Sequence, residues 1–257
     1  MSKRLECAKG LYFHGIRDGH PAEAVARYTG ERYTQHSTGV PDGPEGFVEF
    51  FTGFLERNPK RDIRVLRALD DGRHVFLHAY QSLNEGEAEW VTMDMFDTDD
   101  EGLVVEHWDV ITPFVGPGPS GRTQVDGPTE VTDLERTAEN EALVRAMLRD
   151  LLMEGGDLSK APDYVAEDYR QHNKEVPDGL AAFQAVLGAP DRKLFYDEIV
   201  LCVAQGNFVA TFSKARWEGQ PYAQMDLFRC ENGKIVEHWD AAEPVPPPEE
   251  TVNAGKF

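Results

Sequence analysis

The chain has 257 residues, of which 40% are hydrophobic and 28% charged, a balance typical of soluble globular proteins. Its net charge of −20 makes a surface that repels phosphate backbones and anionic lipid, so we expect neither a nucleic-acid partner nor a membrane partner. No apolar run approaches the roughly 18 residues of a membrane helix. The first residues lack the apolar core of a signal peptide, which predicts a cytoplasmic protein. Cys7, Cys202 and Cys230 occupy no matching positions, which argues against a disulfide framework or a thiolate metal site.

The first half of the chain predicts three helices followed by four strands. Apolar side chains recur at helical spacing over residues 3–16, and a second short helix fits residues 22–28. After a loop that begins at Tyr33, Asp42 can cap a third helix that ends by Asn58. Segments rich in β-branched and aromatic residues predict four strands, at residues 63–69, 75–81, 89–96 and 103–111.

The second half repeats this order after a Gly/Pro-rich linker. Its predicted helices cover a long segment from residue 132 to the Gly155-Gly156 stop, residues 161–168 and residues 179–187. Its predicted strands are residues 195–203, 208–217, 222–229 and 234–241. A Pro-rich tail follows, which cannot form a helix or an inner strand and is expected to lie along the surface.

Two sequence blocks occur twice and show that the chain is a tandem duplication. Val-Glu-His-Trp-Asp is found at Val105–Asp109 and, letter for letter, at Val236–Asp240. Tyr-x-Gln-His followed by Pro-Asp-Gly is found at Tyr33–Gly43 and, with the same spacing, at Tyr169–Gly179. A repeat of this length is a duplicated domain and not a solenoid unit. The predicted organisation is a first domain at 1–115, a linker at 116–130, a second domain at 131–243 and a tail at 244–257.

Together with the turn Glu231–Ile235, these repeated blocks resemble the SnoaL-like group of the nuclear transport factor 2-like (NTF2-like) superfamily. The resemblance covers both halves and excludes only the linker and the tail. It implies an α+β fold of two tandem cone-shaped barrels, each with three helices packed on a curved, mostly antiparallel sheet. Because members commonly dimerise sheet to sheet, it also implies an intramolecular pseudo-dimer, with further homo-oligomers left open. The superfamily includes polyketide cyclases, ketosteroid isomerases, dehydratases, epoxide hydrolases and binding proteins, so the fold does not name the reaction.

The candidate site of the first half centres on the last predicted strand. His107 and Asp109 are two residues apart on that strand, so their side chains share a face and can reach one bound molecule. Counting back through the turn places Asp94 opposite His107, as a carboxylate–imidazole pair, unless a β-bulge shifts the register. His36 in its loop and His78 in mid-strand are further candidates. The alternative for each is a structural hydrogen bond, which for His36 would lock the loop.

The second half keeps most of these residues. Its candidate binding or catalytic residues are His172, Asp226, His238 and Asp240, whereas sequence alignment places Thr211 where the first half has His78. The halves are therefore not chemically equal, and this difference slightly favours a structural role for the second half over a second active site.

The resemblance and these residues lead to one main hypothesis, a cofactor-independent acid–base enzyme of the cyclase, isomerase or dehydratase type. Its substrate would be a small, largely apolar, carbonyl-containing molecule. Asp109, with its pKa raised by burial, would act as general base or acid, His107 and His36 as donors, and His78 or Asp94 would orient them. No cofactor is expected because nucleotide-binding loops are absent, and no metal because the histidines lack close His-x-x-x-His spacing.

Two alternatives remain at this stage. The same pocket in a binding protein would hold a small molecule without converting it. A structural pseudo-dimer would have barrels filled by aromatic side chains, for which the sequence offers Phe76, Tyr80, Phe96 and Phe114.

Overall fold

The computed structural model describes residues 1–257, which fold into two units. The first comprises Met1–Pro113 together with Val245–Phe257, and the second comprises Phe114–Pro244. Each unit combines helices with a five-stranded mixed sheet, which confirms the predicted α+β class. None of the helices has the length and apolar character needed to cross a membrane.

Three helical segments open the first unit. They are α1 (Lys3–Gly10), which continues as a π-helical segment over Leu11–Arg17, α2 (Pro21–Tyr28) and α3 (Gly43–Arg57). Gly10 allows α1 and α2 to pack closely, since a Cβ atom there would lie 2.4 Å from the Tyr28 ring. The predicted cap at Asp42 is confirmed, because its carboxylate accepts from the backbone N–H of Gly43 and also from that of Gln35.

The sheet of the first unit has the order β1-β5-β4-β3-β2. Its strands are β1 (Thr29–Gln35), β2 (Arg61–Asp70), β3 (His74–Leu83), β4 (Ala88–Thr98) and β5 (Val104–Pro113). The four predicted strands are confirmed, but β1 was predicted as part of a helix-to-helix loop. Thr29–Gln35 is mostly polar in sequence, with Tyr33 as its one large apolar residue, so it lacks the apolar signal of a strand. It pairs in parallel with β5, and this pairing places Gln35 beside His107.

The helices of the first unit cover one face of its sheet and enclose the hydrophobic core. Leu11, Ile16 and Phe47 from the helices pack with Val75 and Leu77 from β3. Full burial of an aliphatic or aromatic side chain contributes roughly 1.5–3 kcal/mol to folding, so this layer stabilises the unit and fixes the helices over the sheet.

The second unit repeats the architecture, with the sheet order β6-β10-β9-β8-β7. Its helical segments are α4 (Thr137–Met147), which continues as a π-helical segment over Leu148–Leu152, α5 (Ala161–Tyr164) and α6 (Leu180–Leu187). Its strands are β6 (Val165–Gln171), β7 (Leu194–Gln205), β8 (Phe208–Trp217), β9 (Gln220–Glu231) and β10 (Lys234–Pro244). The helix predicted to 168 is wrong beyond Tyr164, because the chain turns there into β6, which pairs in parallel with β10.

Each unit also includes an irregular segment packed on its sheet. In the second unit the Trp239 indole N–H donates to the Asp126 carbonyl at 2.9 Å. In the first unit the segment Val245–Phe257 contains a short 3-10 turn at Pro248–Glu250. The expectation that this tail lies along the surface is wrong at its far end, since Lys256 is 5% exposed.

Candidate active site

A cavity lies within each unit, about 400 Å³ in the first and about 370 Å³ in the second. Aromatic rings form much of the first wall, namely Phe47, Phe50, Phe51, Phe54, Trp90 and Phe96. Of the side chains expected to fill the barrels, Phe96 lines the cavity without closing it, and Phe76 and Tyr80 do not line it. The filled-barrel alternative is therefore wrong. Each cavity has the size and apolar character of a small-molecule site.

Asp94, His107 and Asp109 meet in the wall of the first cavity. His107 Nε2 lies 2.9 Å from Asp94 Oδ1. Asp94 pairs directly with Asp109 and not, as predicted, with His107. The register shift after Asp97 accounts for one residue of this difference, and the turn, which pairs Thr98 with Val104, accounts for the other. The pairing lies two residues from the predicted one, so all three side chains still share a face, and the expected carboxylate–imidazole contact forms diagonally.

Gln35 fixes the proton arrangement of His107. Its side-chain oxygen accepts from the backbone N–H groups of His36 and Ser37, each at 3.0 Å. The same oxygen lies 2.8 Å from His107 Nδ1. Because two backbone donors already identify this atom as the amide oxygen, Nδ1 must be the donor in the third contact. His107 Nε2 and Asp94 then share one proton between them, held at the cavity wall.

The second unit repeats this chain of contacts. His238 Nδ1 lies 2.8 Å from the Gln171 side-chain oxygen, and His238 Nε2 lies 2.9 Å from Asp226 Oδ1. The Gln171 oxygen again accepts from two backbone N–H groups, so the imidazole has the same tautomer. Asp240 lies beside this pair in the cavity wall, as Asp109 does in the first unit.

The pKa values of the two carboxyl groups of the first site are shifted in opposite directions. Burial raises the pKa of Asp94 and outweighs the opposing hydrogen bond from His107. Burial would raise the pKa of Asp109 as well, but the charges of Lys256 and His107 outweigh it, so that the pKa of Asp109 is lowered. Lys256 Nζ lies 3.1 Å from Asp109 Oδ1. The predicted raised pKa of Asp109 is therefore wrong, because a buried cation lies beside this carboxylate.

A raised carboxyl pKa is found instead at Asp240 in the second unit, where burial is the main cause. The groups that donate hydrogen bonds to it are neutral amides, since Asn173 Nδ2 and Gln224 Nε2 donate to Oδ2 at 2.7 and 3.2 Å. The pKa of His238 is also raised, because the hydrogen bond to Asp226 and the charge of Asp240 outweigh the effect of burial. The second site thus holds the carboxyl group with the properties expected of Asp109.

His36 lies outside the first cavity, so the structure does not support its expected role as a donor to a ligand. Its ring stacks on Trp108 at 5.0 Å, and Nε2 lies 3.0 Å from Glu106 Oε1. His172 makes the matching contacts with Trp239 and Glu237. Both histidines lie on the sheet face opposite the cavity, where they fit the alternative reading as loop-locking residues.

His78 does not join the site either. It is fully buried, but it faces the opposite side of the sheet from Asp94, and its Nδ1 lies 3.1 Å from Arg67 Nη1. Strand pairing gives Phe212 and not Thr211 as its structural counterpart. The sequence alignment was one residue out of register there. Because His78 faces away from Asp94, its expected orienting role has no geometric support.

Four contributions to the sites were not predicted. Gln35 stands in a repeated block, so its recurrence was a usable signal. Tyr12 donates to Asp94 Oδ2 at 2.7 Å from the first helical segment, whereas Tyr196 on β7 lies 3.0 Å from both oxygens of Asp226. The two tyrosines come from different elements and so left no repeat signal. Lys256 lies far from the repeated blocks.

The atoms of Asp94, His107 and Asp109 that could bind a metal lie within 4.8 Å of one another, as do those of Asp226, His238 and Asp240. Carboxylate oxygens and imidazole nitrogens are ordinary metal ligands. In the first unit, however, both His107 nitrogens are hydrogen-bonded and an ammonium group lies on Asp109. This donor set is better suited to sharing protons than to holding a cation.

Comparison with known proteins places both units in one family. Residues 11–107 match the family model of the SnoaL-like domain, and residues 142–246 match that of SnoaL-like polyketide cyclases. A search of curated proteins gave no match.

Solved structures similar to this chain include a proposed polyketide cyclase from Bacillus cereus ATCC 10987, at 18% identity and a TM-score of 0.38 over 42% of this chain and 74% of that one. A proposed ketosteroid isomerase from Kribbella flavida DSM 17836 has 19% identity and a TM-score of 0.38, over 44% and 85% of the two chains. An LEH-like epoxide hydrolase from M. tuberculosis has 17% identity and a TM-score of 0.36, over 42% and 85%. The chain belongs to the SnoaL-like family, as two such domains in tandem.

Proposed function

We propose that this protein is a cofactor-independent acid–base enzyme of the cyclase, isomerase or dehydratase type. Its substrate is a small, largely apolar molecule that contains a carbonyl group. The observation that carries this proposal is the repeated chain of glutamine, histidine and aspartate at the wall of an otherwise largely apolar cavity. A buried polar chain of this kind supplies both a proton acceptor and a proton donor to one bound molecule.

The proposed chemistry begins with removal of a proton from the carbon next to the carbonyl. In the second unit Asp240 is the general base, because a carboxylate with a raised pKa accepts a proton more readily than an ordinary one. Both ring nitrogens of His238 are already hydrogen-bonded, so the proton that His238 shares with Asp226 is the one that stabilises the enolate oxygen that forms. The proton held by Asp240 then returns to the substrate at a different atom, or leaves with water in a dehydration.

The first unit has the same parts with a different charge distribution. Asp109 is the proton acceptor, and the pair of His107 and Asp94 supplies the proton that stabilises the enolate. Because the acceptor in the first unit has a lowered pKa and that in the second a raised one, we propose that the second unit is the stronger base. This reverses the preference for a purely structural second half.

Exchange of α-protons with solvent tests the proposal without knowledge of the natural substrate. The protein would be mixed in D2O with a panel of apolar monoketones, such as 2-tetralone, and proton loss above the uncatalysed rate would be followed by NMR. We expect Asp240→Asn to slow exchange by roughly 100-fold or more, the usual contribution of a general base, and Asp109→Asn to remove the remainder. Asp62→Asn is the matched control, since Asp62 is a surface aspartate paired with Arg64.

Two outcomes would contradict the proposal. Exchange that persists in the double variant of Asp109 and Asp240 would show that neither carboxylate is the base. Ketones that bind in the cavities without any exchange would favour the alternative of a small-molecule binding protein.

A further inference from the structure

Lys256 is a buried cation that lies outside the residues matched by the family models. Its side chain is 1% exposed, and that of Asp109 is 6% exposed. Lys256 Nζ lies 3.1 Å from Asp109 Oδ1 and 3.4 Å from Thr38 Oγ1. Lysine is almost never fully buried unless it is paired, so the position of this side chain depends on the carboxylate it meets.

The backbone around Lys256 is held in place from both sides. Asn253 Nδ2 donates to the carbonyls of Ser37 and Val40, at 2.7 and 2.8 Å. His36 Nδ1 donates to the carbonyl of Gly255, the residue directly before Lys256. These contacts place the lysine beside Asp109, and they give His36 a role that its position outside the cavity did not explain.

The second unit provides an internal comparison. His172 also donates from Nδ1 to a backbone carbonyl, that of Thr123, at 2.7 Å. The segment bound there brings no ammonium group to Asp240, whose carboxylate is held by the amides of Asn173 and Gln224. The same clamp thus carries a cation to one repeated aspartate and not to the other.

We propose that Lys256 is a positioning residue of the first site, which holds Asp109 as a permanent carboxylate and makes the two repeated sites chemically different. The other titratable groups around Asp109 are Asp94 and His107 on the sheet, Tyr12 on the first helical segment and Tyr33 on β1. Asp94 opposes ionisation of Asp109, whereas Lys256 and His107 favour it. The catalytic consequence rests on the acid–base function proposed above, but the charge of Asp109 does not.

The charge can be measured without any substrate. The Cγ resonances of ¹³C-labelled aspartate would be followed from pH 3 to pH 9, with Asp109→Asn and Asp240→Asn used to assign the two signals. In the unmodified protein we expect Asp109 to take up its proton at a lower pH than Asp240. An Asp109 midpoint equal to or above that of Asp240 would overturn the proposal, and this comparison needs no lysine variant to fold.

Lysine variants then assign the cause. Lys256→Met should raise the midpoint of Asp109 by about one pH unit or more, a tenfold change in its acid dissociation constant, because a close opposite charge is lost. Lys256→Arg should stay near the original value, and Lys60→Met, which removes an exposed lysine from its pair with Glu85, should change neither midpoint. If Lys256→Met folds and the Asp109 midpoint does not move, Lys256 does not set its charge.

The same variants separate this proposal from the proposed function. In a chain that carries Asp240→Asn, the ketone exchange reports on the first site, and Lys256→Met should move the acidic limb of its pH–rate profile to higher pH. Absence of exchange in every variant would contradict the enzymatic function alone, since the carboxyl titrations would still decide the role of Lys256.

Discussion

Replacement of Glu237 by glutamine should strongly destabilise the second unit. The Glu237 side chain is 2% exposed, and its two oxygens meet His172 Nε2 at 2.9 Å and Arg229 Nε at 2.7 Å. A glutamine has one oxygen and one NH2 group in their place, so it can accept only one of these bonds and turns a donor toward the other. Arg229 keeps its contact with Glu231 but loses its buried partner.

The repeat offers a matched comparison at Glu106, which occupies the same position in the first unit. Glu106 is 18% exposed, and Arg32, one of its partners, is 58% exposed, so water can replace much of what a substitution removes. Breaking a buried ion pair costs about 3–5 kcal/mol, whereas an exposed pair contributes about 1 kcal/mol or less. In Glu106→Gln the glutamine oxygen can still accept the bond from His36. We therefore expect Glu237→Gln to cost about 2 kcal/mol more of the free energy of unfolding than Glu106→Gln.

Calorimetry with urea unfolding can measure this difference. For a unit of this size about 1 kcal/mol corresponds to a shift in Tm of about 3–5 °C, so Glu237→Gln should lower the Tm of its unit by about 10 °C.

The pKa of Glu237 is lowered from 4.5, because its bonds to His172 and Arg229 outweigh burial. A lowered pKa contributes stability above the unfolded value that is lost as pH falls through the folded value, so the variant's deficit should shrink in acid. Equal losses in the two glutamine variants would refute the role given to burial.

Three further variants test contacts within the units. Arg192→Ala removes hydrogen bonds to three backbone carbonyls and should cost the second unit roughly 1–3 kcal/mol in urea unfolding; a loss below about 0.5 kcal/mol would contradict those bonds. Asp226→Asn should lower the pKa of His238, which is measured from its Hε1 resonance. A raised histidine pKa adds stability that is lost as the pH rises through the folded value. The difference in unfolding free energy between this variant and the unmodified protein should therefore narrow in alkali. Tyr12→Phe removes a donor to Asp94 and should raise the pKa of that carboxyl further, and an unchanged Cγ titration would argue against this bond.

The repeated motifs predicted the fold because they combine local and long-range signals. The segments that form β2 to β5 are rich in β-branched and aromatic residues, and the second half repeats this pattern. β1 and β6 were missed, since a polar edge strand that pairs in parallel with a distant partner has no local signature. These two strands deliver Gln35 and Gln171 to the histidines, so the orientation of the imidazoles could not be derived without them.

The candidate site was predicted in part. Asp94, His107 and Asp109 meet as the strand periodicity suggested, although with a different register. His36 and His78 do not reach the cavity. Their placement was predicted wrongly because residue type alone does not show which face of a sheet a side chain occupies. The charge of Asp109 could not be anticipated either, since it depends on Lys256, which lies 147 residues away in the chain.

The discontinuity of the first unit has a consequence for the order of biosynthesis. The second unit is one continuous stretch, Phe114–Pro244, so all of its contacts are available once that stretch has left the ribosome. The first unit is translated earlier, but it is completed only when Val245–Phe257 emerges. Until then Asp109 lacks its cation. A released chain that lacked Val245–Phe257 would therefore keep every residue of the second unit, while its first site would lack Lys256.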